Sequence, residues 1–465
     1  MNFLRAIGLV LIAVSTAFGQ GFDSSVYREN EARVDSFYSA EDYANLEKAL
    51  DRQIDYLIST ARYDSLYHYV YKVGRTHAQR LGLEKAVKEV EGLISLIREN
   101  DPDTSHVLSA INDLSWTYYE AGMDSLCLAT DLRFLELCEK YRNASPLERS
   151  DAHYNVGFDY QMMGNTAKAI YHFEKSLEPV ATDTPKYIKK LMDCYNALGA
   201  AYWRNGQLSE AKKSLLASDS LARDFPDTTW AKLYRANALG NLSLIYEDQA
   251  NLAKSMELLE TSIDLRKDAI PNLKEAYDRD LQTQHLIANY HNLSALYLSI
   301  GDLDRAIAMT EYVDELQREF YPTDHPAHQK LEEAKGSLEL AAGNYSKAEK
   351  HLLLSLEGAL KNFGEDSYYV ATCNQRLGQL YSEWGKYRKA LKHFNRTIDV
   401  ARAISGEFRS QELAGAYRDR AELRVILEEY DLAGHDFRRA GKIFSQTRGE
   451  ESVSVGNIHL NLAGM

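Results

Sequence analysis

One short pattern recurs along most of this chain, and its spacing constrains the fold more than composition does. A large apolar residue followed by a small one, then a tyrosine, a glycine and an alanine, appears as Leu198-Gly199 with Tyr202, Gly206 and Ala211. Clear copies are Leu377-Gly378 with Tyr381, Gly385 and Ala390, Val156-Gly157 with Tyr160, Gly164 and Ala169, and Leu293-Ser294 with Tyr297, Gly301 and Ala306. Weaker copies begin at Leu114-Ser115, Leu242-Ser243, Lys335-Gly336 and Arg420-Ala421, and a degenerate one near Val73-Gly74. The starts at 114, 156, 198, 242, 293, 335, 377 and 420 are separated by 42, 42, 44, 51, 42, 42 and 43 residues. A fixed period of this length marks an array of small units, each burying its apolar face on the next.

The pattern reads mechanically as a helix pair. In the first helix the large-then-small couple lets the partner backbone come close. The glycine ends that helix, because it adopts the left-handed capping conformation cheaply. The second helix carries an alanine at the crossing point (Ala169, Ala211, Ala306, Ala348, Ala390, Ala433) and a large residue four later, as in Phe173, Leu215, Leu352, Phe394 and Phe437. All eight prolines, at 102, 146, 179, 185, 226, 271, 322 and 326, are expected between one pair and the next, since a proline inside a helix costs about 3 kcal/mol. The 51-residue step, which holds Pro271, is read as lengthened helices around a longer loop. The expected fold class is all-α, a solenoid of antiparallel helix pairs.

These residues resemble the tetratricopeptide repeat, over roughly residues 60 to 465. The period of 42 is similar to the kinesin-light-chain type, and the linkers Tyr321-Pro322-Thr323-Asp324-His325-Pro326 and Phe363-Gly364-Glu365-Asp366-Ser367 are similar to that type's Gly-x-x-His-Pro link. The first keeps His-Pro and the second Gly-Glu. The resemblance implies a right-handed superhelix whose concave wall binds an extended or helical segment of another polypeptide.

Residues 1–19 stand apart. Arg5, the apolar run Ala6 to Ala17 and the small residues of Ala17-Phe18-Gly19 have the form of a secretory leader, with cleavage expected between Gly19 and Gln20. Residues 20–60 are expected to be an N-terminal helical cap, and 61–465 an array of about nine repeats. In Asn461-Leu462-Ala463, within the half repeat 453–465, Leu462-Ala463 lies 42 residues after Arg420-Ala421, and the segment reads either as a capping helix or as the first half of an interrupted pair. The second option resembles the arrays of exported proteins that carry a CHAT-type, caspase-like protease domain, or those of periplasmic sensors.

The formal charge of -14 opposes binding to phosphate backbones, so nucleic acid is an unexpected partner. Cys127 and Cys138 share a helix about 16 Å apart along its axis, too far for a disulfide, whose Cα atoms lie within about 7 Å. With Cys194 and Cys373 they read as buried small residues. His325 and His328 read as linker residues rather than metal ligands. The zinc-peptidase, nucleophile-elbow and P-loop signatures are missing from the sequence. No catalytic, cofactor or metal residue is therefore proposed. A Cys373–His pair stays open, and the pairs Glu332-Glu333 and Glu428-Glu429 read as solvated faces.

What is left is a binding wall on the first helices. Asn155, Asn241 and Asn292 each precede the large residue of their repeat. In the resembled family such amides point into the groove, where they can donate to and accept from a peptide backbone; a local helix bond is the alternative. Trp116, Tyr119, Phe158 and Trp203 fall on the same side, as anchors for apolar side chains or as inter-helix packing. Basic residues do not recur in the family's carboxylate-clamp arrangement. The expected function is a non-catalytic scaffold that takes a protein or peptide.

Overall fold

The computed structural model describes residues 22–274, 276–322, 325–403, 408–448 and 453–464. The stretch read as a leader lies outside them, as do Thr323 and Asp324 of the linker. Among the described residues there is no strand, and no helix is long and apolar enough to cross a membrane. The chain divides into two compact units, Met1–Val156 and Gly157–Met465.

In the first unit, α1 (Ser24–Ser39) and α2 (Tyr43–Ser59) are followed by a 3-10 turn, Tyr63–Tyr69, that runs into α3 (Val70–Leu81). Then come α4 (Leu83–Asn100), α5 (Thr104–Glu120) and α6 (Asp124–Lys140). Their apolar faces close over one core that includes Leu50, Ile54, Leu57, Leu93, Ile94 and Ile97. Helix α7 (Pro146–Met162) contains the boundary between the units.

The second unit continues in pairs: α8 (Thr166–Val180) follows α7, then α9 (Thr184–Arg204) with α10 (Leu208–Arg223), and α11 (Thr229–Asp248) with α12 (Leu252–Ala269). Next come α13 (Ala276–Ser299) with α14 (Leu303–Phe320), α15 (Ala327–Ala341) with α16 (Tyr345–Phe363), and α17 (Tyr368–Glu383) with α18 (Tyr387–Ala403). The run ends with α19 (Phe408–Ile426), α20 (Tyr430–Arg448) and α21 (Val453–Ala463).

The small residue of the pattern has a definite steric task. A Cβ added at Gly157, Gly199, Gly336 or Gly378 would meet Phe173, Leu215, Leu352 or Phe394 at 2.8, 2.4, 2.7 and 2.5 Å. The large residue of the second helix therefore sits directly on the glycine of the first. In the repeat that carries Ser294 instead, the facing residue changes with it: Ser294 donates to the Ala306 carbonyl at 2.9 Å and pairs with Thr310 at 3.0 Å. Eight residues after the large one, the tight turn is left-handed at Gly122, Gly164, Gly206, Gly301, Gly343 and Gly385. Two weaker copies place Ala250 and Glu428 there, at φ 57° and 59°, a conformation that L-residues adopt at some energetic cost.

Two expectations need correction. Pro179 lies inside α8, next to its last residue, rather than between helices; the helix relaxes at once into the 3-10 turn Ala181–Asp183, so little of the ladder is lost there. The 51-residue step does lengthen a helix, since α13 runs for 24 residues. Its connection, however, is a short 3-10 turn, Ile270–Asn272, with a few residues after it.

Candidate functional site: a groove on four first helices

Helices α13, α15, α17 and α19 are first helices of successive pairs, and together they face a groove of about 680 Å³. The residues they present follow one rule. Counted from the large residue of each repeat, they lie five, two and one positions before it and two after, the i, i+3, i+4, i+7 spacing of a single helix face. On α15 these are Lys330, Glu333, Ala334 and Ser337, and on α17 Thr372, Gln375, Arg376 and Gln379. Helix α13 adds His291, Asn292 and Ala295, and α19 adds Gly415 and Arg418.

A ladder of polar contacts fixes this wall. Arg376 Nε donates to Glu333 at 3.2 Å, and its Nη1 to Gln379 Oε1 at 3.2 Å. Gln375 and Gln379 each donate through Nε2 to Asp419, at 2.7 and 2.8 Å. Arg418 holds the other oxygen of that nearly buried carboxylate at 2.7 Å. Gly415 leaves room for Gln375, whose Nε2 would lie 2.9 Å from an added Cβ. Ladder side chains are thereby held in place before any ligand arrives, which lowers the ordering cost of binding. At the edge Tyr369, an exposed ring, stacks on Phe363 at 4.1 Å.

Lys330 and His291 also line the groove. Lys330 reaches solvent, yet protein surrounds it on most sides, and this crowding pushes its ammonium below the ordinary lysine value while Glu333 pulls it back. Beside it the buried His291 is pushed down to about 3, by burial first and by the Lys330 charge second. The imidazole is neutral at physiological pH, and its Nε2 has no partner among the described residues. Lysine, neutral histidine and side-chain amides together can receive carbonyl oxygens and carboxylates, and can donate to and accept from peptide groups.

The residues singled out from sequence fall in different surroundings. Asn292 lines the groove. Asn241, half-buried, holds the same register position on α11. Asn155, in the first unit, donates to Asn112 at 2.7 Å and to Asp131 at 3.4 Å. Trp116 and Tyr119 are exposed on α5 and meet edge to face at 5.5 Å. Phe158 on α7 is half-buried. Trp203 packs against the core around Leu239 and Leu242, and its indole donates to Asp248 of the next first helix at 2.6 Å. Sequence reading missed Lys330, Gln375, Arg376 and Gln379. The same helical spacing, counted outward from Asn292 and transferred to the next two repeats, would have found them. Glu333, read as a solvated carboxylate, is a member of the ladder.

The cysteines are buried and unbridged. Burial pushes the Cys373 thiol up to about 11, and its sulfur sits 3.2 Å from both Ser355 and Gln329. Its partners Gln329, Ser355 and Thr372 include no histidine. His325 and His328 serve the entry to α15: His325 stacks on Tyr321 at 4.2 Å, and His328 lies 2.9 Å from the Pro322 carbonyl.

Paired helices, the glycine-on-large-residue contact and a wall built from first helices define an α-solenoid of tetratricopeptide repeats. Models of the tetratricopeptide repeat match residues 193–225, 236–268 and 329–403, so the chain carries these repeats in its second unit. Among solved structures it is similar to the apo form of RapI, at 10% identity and a TM-score of 0.55, over 81% of this chain and 98% of that one. It is also similar to a Rap protein complexed with Competence and Sporulation Factor (15% identity, TM-score 0.53, 87% and 99% covered). A third is the Rap conjugation gene regulator of the plasmid pLS20 in complex with the Phr* peptide (14% identity, TM-score 0.52, 83% and 97% covered). No match was found among curated protein sequences.

Proposed function

We propose that the chain is a non-catalytic scaffold that holds a segment of another polypeptide in the groove of α13, α15, α17 and α19. The observation that carries this reading is the convergence of one helix face from four successive repeats on a single groove of about 680 Å³. Its volume falls in the range of ligand sites, roughly 300–1,000 Å³, and suits a few residues of an extended chain. Amides from Asn292 and Gln375 address the peptide backbone without reading its sequence. Lys330 adds a preference for carbonyl-rich or acidic segments, and the Tyr369–Phe363 stack offers an apolar contact at the edge. Two of the similar structures hold a peptide or a named factor, which agrees with this use of the fold.

The test is an affinity measurement. Peptides selected from a random library on the whole chain are titrated against Asn292→Ala, Lys330→Ala and Gln375→Ala combined. Each lost hydrogen bond is worth about 0.5–1.5 kcal/mol, so affinity should fall about 10- to 1,000-fold while the helical circular dichroism is unchanged. Equal affinity of the folded triple variant would remove the ligand from this groove.

A further inference from the structure

Seven second helices of the second unit share a buried position, eleven residues after the small residue at the helix crossing. It is occupied by Val180, Ala222, Arg266, Gln317, Ala359, Ala401 and Phe444, all almost completely buried. Five of the seven are apolar, and one is an arginine.

Arg266 is only 3% exposed, and among the described residues no carboxylate lies within ion-pair distance of it. Its Nη2 donates to Asn237 Oδ1 at 2.5 Å, its Nη1 donates to Gln282, and its Nε has no partner. Burial pulls the guanidinium down only to about 10, so it keeps its charge at neutral pH. The adjacent His285 is pushed down to about 4, by burial and then by Arg266, and its Nδ1 has no partner either. Among the described residues the cluster is therefore one buried positive charge among neutral groups. Buried charges in proteins are ordinarily paired.

Two members of the cluster stand in the register that the polypeptide groove uses. Asn237 stands five positions before Leu242, the register that Lys330 holds in its repeat. His285 stands two helical turns before Asn292 on the same side of α13. Asn237 and Gln282, the two side chains that accept from the guanidinium, are half-buried and keep contact with solvent.

We infer that Arg266, with Asn237, Gln282 and His285, is a binding site for a single carboxylate of the polypeptide ligand. The inference deepens the reading of the groove as a polypeptide site and rests on it. A carboxylate is favoured over a phosphate by charge: a monoanion neutralises the guanidinium, whereas a dianion would leave an excess negative charge buried. The free Nε–H and a neighbouring Nη–H form the two-pronged edge that a planar carboxylate fits, and the neutral amide and imidazole groups supply further donors.

The experiment measures thermal unfolding of the whole chain, at constant ionic strength, with three short probe peptides lacking other charges. One has a free C-terminal carboxylate, the second is the same peptide amidated, and the third is amidated but carries one glutamate. A saturable rise in melting temperature with the first assigns the chain end, and with the third an acidic side chain. The fully amidated probe should give none. Arg266→Met should remain folded, melt no lower than wild type without ligand, and lose the response; Arg266→Lys should keep a weakened one. Equal responses of wild type and Arg266→Met, equal responses to acid and amide, or no response of wild type to either carboxylate would overturn the inference. The groove variant of Asn292, Lys330 and Gln375 separates the two readings. If library peptides need those residues but bind Arg266→Met as well as wild type, the groove stands and the carboxylate site falls.

Discussion

The first and second units use one skeleton and present different walls. In the first, the helix face of α5 shows Asp113, Trp116 and Tyr119, with both aromatic rings exposed and touching each other. Asn155 is engaged by Asn112 and Asp131 rather than standing open. In the second, the same helix face carries Arg376 at the register of Asp113 and Gln379 at that of Trp116, linked with Glu333 and Gln375 into a ladder around a groove. Both units place a glycine at a close helix contact, against different partners: Gly74 on α3 faces Thr117 of α5, whereas Gly378 faces Phe394 of its own second helix. Packing residues thus set the pair geometry, while the face one helical step away is left to vary, and it is on that face of the second unit that the proposed ligand is placed.

The strongest way to break this comparison is to attack the shared skeleton. A Cβ at Gly378 would lie 2.5 Å from Phe394, and one at Gly74 2.2 Å from the Thr117 hydroxyl. Gly378→Ala and Gly74→Ala should each destabilise by about 1–3 kcal/mol, the usual cost of overpacking. Gly92→Ala, on α4 where nothing lies within 4 Å, should instead stabilise by about 0.5–1 kcal/mol. Urea unfolding measures all three. If Gly378→Ala behaved like Gly92→Ala, close approach of the helices would not be why the pattern has a small residue.

A smaller effect sharpens the difference between the walls. Burial raises Asp113 to about 7 from 3.8, and a hydrogen bond from the Tyr71 backbone only partly opposes it. The folded chain then holds a proton that the unfolded chain has already released. The resulting penalty is absent below pH 3.8, grows as pH rises toward 7 and is complete above it. Because the side chain keeps some contact with solvent, Asp113→Asn should stabilise by about 1–2 kcal/mol at pH 8, less than the full shift implies, and not at all near pH 3.5. Stability curves of the variant and wild type that stay parallel across that range would contradict the assignment.

The skeleton was legible in the sequence because its requirements are local and periodic. Leu198-Gly199, Gly206 and Ala211 each answer a steric demand that returns every 42 residues or so. The wall was legible only where asparagine marked it. Asn292 does line the groove, but Lys330, Gln375 and Gln379 hold neighbouring register positions with residue types that give no signal alone. Trp203 shows the converse: it sits on that face by spacing, but Asp248, 45 residues later, engages its indole. Contacts between repeats of that kind depend on how pairs stack, and periodicity alone does not contain them. Arg266 was equally silent, since one arginine on a charged helix looks solvated until its position is matched with six buried counterparts.

Photo-crosslinking tests the central claim most directly. A library-selected peptide carrying a photoreactive side chain is bound to the whole chain, irradiated and mapped by mass spectrometry. Crosslinks are expected on α13, α15 and α17 at the groove-facing positions, such as Asn292, Ser337 and Gln379, with none at Trp116 or Tyr119. Crosslinks concentrated on α5, or on the outer second helices α14, α16 and α18, would contradict it.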